Sequence, residues 1–227
     1  MKKSQLRQII QEEVEKQIEV IDNFFELLES FQIIDEDTTE WSENKKIKEF
    51  KRYNKEFVVT YNLIIKFGYK SVLKYLRELS DWICMGSFED DDVNTEAIKI
   101  LYDGRNIFNF YVPEINKNGV LYRGLGNLKK IPKKKQNIVY SPNKGLSSWT
   151  ENEEVAKRFA NSNTGRNVIL VVDRSEIIKK SDIIFYNIPE KSELSKLIYG
   201  KFCRYDDERE WVVKIKKPIN IKEFYVL

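Results

Sequence analysis

The sequence predicts an α+β protein in which a helical N-terminal lobe packs on a mixed, mainly β, C-terminal core. Apolar residues recur at helical spacing from residue 4 to about 110, and short apolar runs of strand length follow Pro113. No internal repeat interrupts either half. We therefore expect a single domain over 1–227, with the helical lobe at 1–112 and the β-rich core at 113–227.

The N-terminal half contains four predicted helical stretches. The first is a long helix with Ser4 as its N-cap, the second ends at Gly68, and the third and fourth cover 71–84 and 95–108. We interpret the apolar stripes on these helices as core and not as binding sites. The stripe of the first helix consists of Leu6, Ile9, Ile10, Val14, Ile18, Ile21, Phe24, Phe25, Leu27 and Leu28.

The C-terminal half reads as short strands with one helix among them. The helix covers 151–161, and we expect Val155, Ala156, Phe159 and Ala160 on its buried side. The continuous apolar run at 168–172 is typical of a strand that is buried on both faces. The predicted strands cover 120–124, 146–150, 168–172, 183–186, 210–215 and 221–226.

The composition excludes several kinds of chemistry. The chain contains no histidine, which excludes histidine-based nucleophilic catalysis, histidine general bases and histidine metal sites. The net charge of +3 is a small difference between 39 basic and 36 acidic residues, so it predicts no general affinity for polyanions. Two cysteines are too few for a disulfide framework or a cysteine zinc site, which suits a reducing cytosol.

The N-terminus gives no sign of export. Residues 1–24 lack the uninterrupted apolar core of a signal peptide, and no later run approaches the ~18 apolar residues of a membrane span. We therefore expect a soluble, cytoplasmic protein.

Three short motifs, each weak alone, follow one another in the β-rich half. The first lies on a predicted strand, the second lies at a strand edge with a short helix behind it, and the third lies in an acidic turn that leads into a strand. They are Tyr122-Arg123-Gly124, Ser148-Trp149-Thr150 and Glu208-Arg209-Glu210.

In this order the motifs resemble the arginine–serine–glutamate class of ADP-ribosyltransferases. This class includes bacterial arginine-modifying toxins, vertebrate ecto-transferases and accessory transferases of tailed phages. The resemblance covers about 121–213. The Glu-X-Glu motif is intact, whereas the usual Ser-Thr-Ser is replaced by Ser148-Trp149-Thr150, and 154–160 resembles the helix that commonly follows. The resemblance implies that the β-rich half is an ADP-ribosyltransferase core.

The resemblance also implies that NAD is the co-substrate and that no metal is required. Glu210 would stabilise the positive charge that develops on the ribose as the bond to nicotinamide breaks, with Ser148 holding its carboxylate. Arg123 would hold the pyrophosphate through bidentate contacts. Gly124 would let the backbone approach the nicotinamide amide. Tyr122 and Thr150 complete the expected NAD-binding set.

Glu208 would serve the acceptor. An arginine acceptor has a pKa above ~12 and becomes a nucleophile only when a base orients it and takes a proton. Side chains two apart share one face of a strand, so Glu208 and Glu210 would aim one carboxylate at the acceptor and one at the donor. Tyr205 and Phe202 occupy the place where the class carries an aromatic for target selection, and each either recognises the target or packs within the loop.

Other positions have two interpretations. Trp149 is a packing residue on the opposite face of its strand or a stack for nicotinamide, and we favour packing. Thr150 either supports the site or caps the following helix. The lysine cluster at 129–135 is either a solvated loop, which we favour, or a phosphate or RNA contact.

We therefore expect a mono-ADP-ribosyltransferase that acts on an arginine of another protein. The opening MKKSQLRQII resembles the start of tailed-phage accessory proteins, which suggests the cytoplasm of a bacterial or phage-infected cell and a target in the transcription or translation machinery. One alternative is ADP-ribosylation of a nucleic-acid base, with the lysine cluster contacting the backbone. The other is a non-catalytic NAD- or protein-binding module, against which the intact Arg123, Ser148 and Glu210 argue.

Overall fold

A computed structural model describes residues 3–85, 95–112, 115–126, 128, 139–140, 146–161, 167–186, 188, 192–198 and 209–227. Within these ranges the chain forms nine α-helices, a six-stranded antiparallel sheet and a two-stranded antiparallel ribbon. The predicted α+β class is therefore confirmed.

The N-terminal half of the described chain is entirely helical. Asp37 and Ser42 cap the starts of a short 3₁₀ turn and of the second α-helix, and Gly68, with φ of 80°, ends the third. The elements are α1 (Lys3–Ser30), the 3₁₀ turn (Thr38–Glu40), α2 (Glu43–Tyr53), α3 (Val58–Phe67), α4 (Tyr69–Met85), α5 (Thr95–Asp103) and α6 (Arg105–Tyr111).

Several predicted helix boundaries are wrong. Ser4 lies inside α1 and is not its N-cap. The second predicted stretch is two helices, α2 and α3, separated at 54–57, and the fourth is divided at Gly104 into α5 and α6. A β-carbon at position 104 would lie 2.2 Å from the Tyr75 ring, so the close approach of α4 to this junction requires glycine there.

The apolar stripe of α1 is core in only half of the helix. Phe24, Phe25, Leu27 and Leu28 are fully buried, as predicted. Leu6, Ile9, Ile10 and Val14, in contrast, are 45 to 55% exposed, so the prediction that they belong to the core is wrong. The first turns of α1 extend beyond the body of the lobe, where no element of the described chain covers them.

The C-terminal half forms the sheet and three further helices. The strand order in the six-stranded sheet is β5-β6-β3-β1-β4-β8, and β2 pairs with β7. Helices α8 and α9 and the β2–β7 ribbon are not predicted by the sequence pattern. The elements are β1 (Val120–Leu125), β2 (Val139–Tyr140), β3 (Ser147–Thr150), α7 (Glu153–Asn161), β4 (Val168–Asp173), α8 (Arg174–Lys180), β5 (Ser181–Tyr186), α9 (Glu193–Ile198), β6 (Glu210–Ile215), β7 (Ile219–Asn220) and β8 (Glu223–Val226).

Strand β4 is buried on both faces, as its continuous apolar run predicts. Its first five residues are buried, and both α7 and α8 pack against it. Ile169 clusters with Ala156 of α7, whereas Leu170 belongs to the main core. This alternation is expected for successive residues of a strand.

The helical lobe packs on the β5–β6 side of the sheet. The Phe108 ring of α6 lies 6.2 Å from the ring of Phe185 and 5.3 Å from the ring of Tyr186. The Glu193 carboxylate of α9 accepts hydrogen bonds from the first backbone N–H groups of α3, at 2.9 Å from Val59 and 2.5 Å from Thr60. These contacts join the two halves into one buried core. None of the described helices has the length and apolar character that crossing a membrane requires.

Candidate functional site

The three sequence motifs meet on neighbouring strands. Strands β1, β3 and β6 are adjacent in the sheet, with β3 in the middle. Tyr122 pairs with Thr150, and Thr150 pairs in turn with Glu210, so one row of residues across three strands contains a member of each motif. The fold thus brings together segments that lie far apart in the chain.

Strands β1 and β3 separate beside this row. Their only ladder pair among the described residues is Tyr122 with Thr150, although both strands continue beyond it. Arg123 bridges the resulting gap, because its Nη1 donates a 2.5 Å hydrogen bond to the backbone carbonyl of Ser148. The Arg123 guanidinium also lies 5.6 Å from the centre of the Tyr140 ring. The positively charged guanidinium of Arg123 is therefore held in place between β1 and β3, where the two strands separate.

Arg123 keeps part of its hydrogen-bonding capacity unused. Its Nε is buried and has no hydrogen-bond partner among the residues that the structure describes. An unpaired buried donor on a cation is unfavourable unless an acceptor reaches it. This donor makes Arg123 suited to hold an anionic group in the gap between β1 and β3.

The Glu210 carboxylate has three polar neighbours. The Ser148 hydroxyl hydrogen-bonds it, Nε1 of Trp82 donates to its Oε1 at 3.5 Å, and Arg123 acts on it through its charge. Burial raises the pKa of Glu210, and these three neighbours oppose that rise. Glu210 is thus a half-buried carboxyl group whose pKa is raised by burial, and the two hydrogen bonds and the nearby cation reduce this rise.

Trp82 was missed by sequence analysis, which assigned its helix to the core. It lies on α4, and its hydrogen bond to Glu210 spans 128 positions of the chain. The side chain is buried, in agreement with the apolar stripe pattern, but its indole N–H reaches the candidate site. No local sequence signal distinguishes such a tryptophan from one that only packs.

Gly124 has a packing role. A β-carbon at this position would lie 2.0 Å from the carbonyl oxygen of Ala156 and 2.7 Å from the backbone nitrogen of Ala160. Helix α7 therefore lies directly on the backbone of β1, and the small Ala156 and Ala160 side chains are buried in the contact. This contact requires glycine independently of any ligand.

Thr150 supports the turn into α7. Its hydroxyl accepts a 3.0 Å hydrogen bond from the backbone nitrogen of Asn152, and the Asn152 side chain accepts one of 3.0 Å from that of Glu154. Asn152, which sequence analysis did not single out, therefore caps α7, which begins at Glu153 and not at Glu151. Trp149 is buried and its ring packs edge-on against Tyr140 at 5.5 Å, so the favoured interpretation of Trp149 as a packing residue is confirmed.

These elements line a small open cleft with a cavity volume of about 20 Å³. Phe159 was expected to be buried, but it is 37% exposed and lines the cleft. The reason is that Ala156 and Ala160 occupy the side of α7 that faces β1, which turns Phe159 towards the opening. The lining residues are Tyr122, Arg123, Gly124, Ser148, Trp149, Thr150, Val155, Ala156, Phe159 and Glu210.

The predicted geometry of the two glutamates needs correction. Strand β6 begins at Glu210, and Arg209 has φ of 41°, in the left-handed region and not in extended conformation. The alternation of strand side chains, from which the geometry of the glutamate pair was predicted, is therefore interrupted at Arg209. Glu208, Tyr205, Phe202 and the lysine cluster at 129–135 lie outside the described residues.

The cleft brings together acidic, basic and hydroxyl side chains. Within the described ranges no group of three or more histidine, cysteine or acidic side chains is arranged to hold a metal ion. No family model, curated protein or solved structure matches the chain. The cleft is therefore characterised by its own geometry and by the motif residues that line it.

Proposed function

We propose that the chain is a mono-ADP-ribosyltransferase that moves ADP-ribose from NAD to an arginine of a target protein and releases nicotinamide. One observation carries the proposal. Arg123, Ser148 and Glu210 come from three separate segments, line one cleft, and are linked by the Ser148–Glu210 and Arg123–Ser148 hydrogen bonds. The motif resemblance assigns these same three residues to NAD.

The cleft suits the anionic part of NAD. The buried, unpartnered Nε of Arg123 is a donor for a pyrophosphate oxygen, while Nη1 stays on the Ser148 carbonyl and fixes the direction of the guanidinium. Tyr122, Gly124 and Thr150 line the same space and would complete the NAD contacts. The exposed ring of Phe159 offers an apolar face for one of the bases.

The chemistry proposed for Glu210 depends on charge. As the bond between nicotinamide and ribose C1 breaks, its electron pair leaves with nicotinamide and the ribose becomes positively charged. A carboxylate fixed beside the ribose stabilises this charge more in the transition state than in the ground state. The Ser148 and Trp82 hydrogen bonds keep the carboxylate in position and partly offset the rise in its pKa that burial causes.

The acceptor step requires a second base. A guanidinium nitrogen of the target arginine forms the new bond to C1, and the proton it loses goes to Glu208. The Glu-X-Glu spacing supports an arginine acceptor through the resemblance. A target in the cytoplasm of a bacterial or phage-infected cell, such as the transcription or translation machinery, belongs to the same proposal.

Labelled NAD and a bacterial lysate test the reaction and its acceptor together. We expect label in macromolecules that protease releases and nuclease does not. Arg123→Ala and Glu210→Gln should abolish labelling, whereas the matched surface variants Arg52→Ala and Glu223→Gln should retain it, because both residues are exposed and do not line the cleft.

Two outcomes would contradict the proposal. Label released by nuclease and retained after protease would identify a nucleic-acid base as the acceptor. Absence of both labelling and nicotinamide release from the wild-type chain would identify a non-catalytic module.

A further inference from the structure

The first turns of α1 present an aliphatic surface to solvent. Leu6, Ile9, Ile10 and Val14, here named the α1 stripe, are about half exposed and lie on one side of the helix at i, i+3, i+4 and i+8. The same side of the helix further along is the fully buried face that carries Phe24 and Leu28. The α1 stripe therefore has the character of a core face without a covering element in the described chain.

This part of α1 is surrounded by water. Every described side chain from 4 to 17 is exposed. Spaced side-chain pairs support the polar side, such as the 3.0 Å hydrogen bonds from Gln8 to Glu12 and from Gln11 to Glu15. A helical segment of this length is marginal in water without a packed apolar face. A partner on the α1 stripe would supply that packing.

The order of basic and acidic residues along the start of α1 indicates which partner fits the α1 stripe. The charged residues before residue 8 are all basic, namely Lys2, Lys3 and Arg7. The first acidic residue is Glu12, and Glu13 and Glu15 follow it. Two copies of this segment placed antiparallel bring the basic end of each beside the acidic part of the other. A parallel pair would place like charges together.

We propose that the α1 stripe pairs antiparallel with the α1 stripe of a second copy of this chain, forming a homodimer. A two-fold axis at Ile10 places Ile10 against its counterpart and sets Leu6 level with Val14 of the second copy. The same arrangement sets Arg7 level with Glu13 of the second copy. Four aliphatic side chains from each copy form an interface smaller than the ~1,200–2,000 Å² of stable complexes, so dimerisation depends on concentration.

Sedimentation of the full chain over a wide concentration range tests the pairing. We expect wild type to pass from monomer to dimer as concentration rises and Ile10→Glu to stay monomeric. Gln8→Lys adds a charge on the polar side of the same turn, keeps an attractive partner in Glu12 and should dimerise like wild type. Because all these positions are exposed, circular dichroism should report the same folded state for each protein.

Charge reversal tests the orientation. Arg7→Glu alone and Glu13→Arg alone should each weaken dimerisation, because each substitution reduces the attraction between the basic and acidic parts of the two copies at two symmetric places. The double variant should restore it. A wild-type monomer at all concentrations, or an Ile10→Glu variant that still dimerises, would overturn the proposal, and a double variant as weak as the single ones would overturn the antiparallel arrangement.

Discussion

Trp82→Phe tests whether the helical lobe takes part in the chemistry. The substitution keeps an aromatic ring on α4 but removes the indole N–H that donates to Glu210 Oε1 at 3.5 Å. It leaves the Ser148 hydrogen bond to the same carboxylate in place. The expected effect is therefore a partial loss of activity, with Glu210 less firmly held and less readily ionised.

The contact length sets the size of the effect. A hydrogen bond to a charged group contributes about 1.5–3 kcal/mol at good geometry. The 3.5 Å separation is long for a hydrogen bond, so we assign this bond a contribution of about 1 kcal/mol. Its loss should lower the rate of NAD hydrolysis about fivefold. Since this bond lowers the pKa of Glu210, its loss raises that pKa, and the acid limb of the pH–rate profile moves to higher pH.

Nicotinamide release measured across pH checks both effects. The matched control is Trp41→Phe, which removes an indole hydrogen bond of 3.0 Å to the Glu36 carboxylate in the same lobe, away from the cleft. This control should leave the rate and the pH profile unchanged. Equal rates and profiles for Trp82→Phe and wild type, or an equal loss in the control, would refute a role for Trp82 at Glu210.

Three further predictions concern stability. Gly124→Ala should lower the melting temperature in calorimetry, because the new methyl group would lie 2.0 Å from a backbone oxygen of α7. Overpacking costs about 1–3 kcal/mol, and each kcal/mol lowers the melting temperature by about 2–4 °C at this chain length. An unchanged melting temperature would contradict the packing role. Glu210→Gln should raise the melting temperature at neutral pH, because folding raises the pKa of Glu210 and burial disfavours its ionised form. The gain in melting temperature should shrink as the pH falls through the folded-state pKa. A gain that does not depend on pH would contradict this cause. Deleting 1–110 should give insoluble or inactive protein, because Phe185 and Tyr186 would lose their cover on α6, and a soluble, active fragment would argue against it.

The sequence predicts the strands that carry the site better than it predicts the helices. The strand beginning at Glu210 and the buried run at 168–172 have clear apolar patterns and were placed correctly. The division at Gly104 depends on contact with Tyr75, which is distant in sequence. The exposed start of α1 has the same apolar spacing as its buried end, so periodicity alone cannot separate the two.

The candidate site was predictable in part. Arg123, Ser148 and Glu210 follow from motif order, and the sheet brings them together. Trp82 could not be found, because its hydrogen bond to Glu210 depends on how the lobe packs. Arg209 is a non-glycine residue in left-handed conformation, which no residue type in the motif signals, so the extended backbone assumed for the glutamate pair is interrupted at Arg209.

The most direct test of the proposed reaction compares Glu210→Gln with Glu208→Gln. Nicotinamide release is measured for both variants and wild type, with and without an arginine analogue as acceptor. We predict that Glu210→Gln loses both hydrolysis and transfer, because both pass through the same positively charged ribose. Glu208→Gln should keep much of the hydrolysis while transfer to arginine falls by about 10²–10⁴. Full activity of Glu210→Gln would contradict the proposed reaction, and full arginine transfer by Glu208→Gln would contradict the role of Glu208.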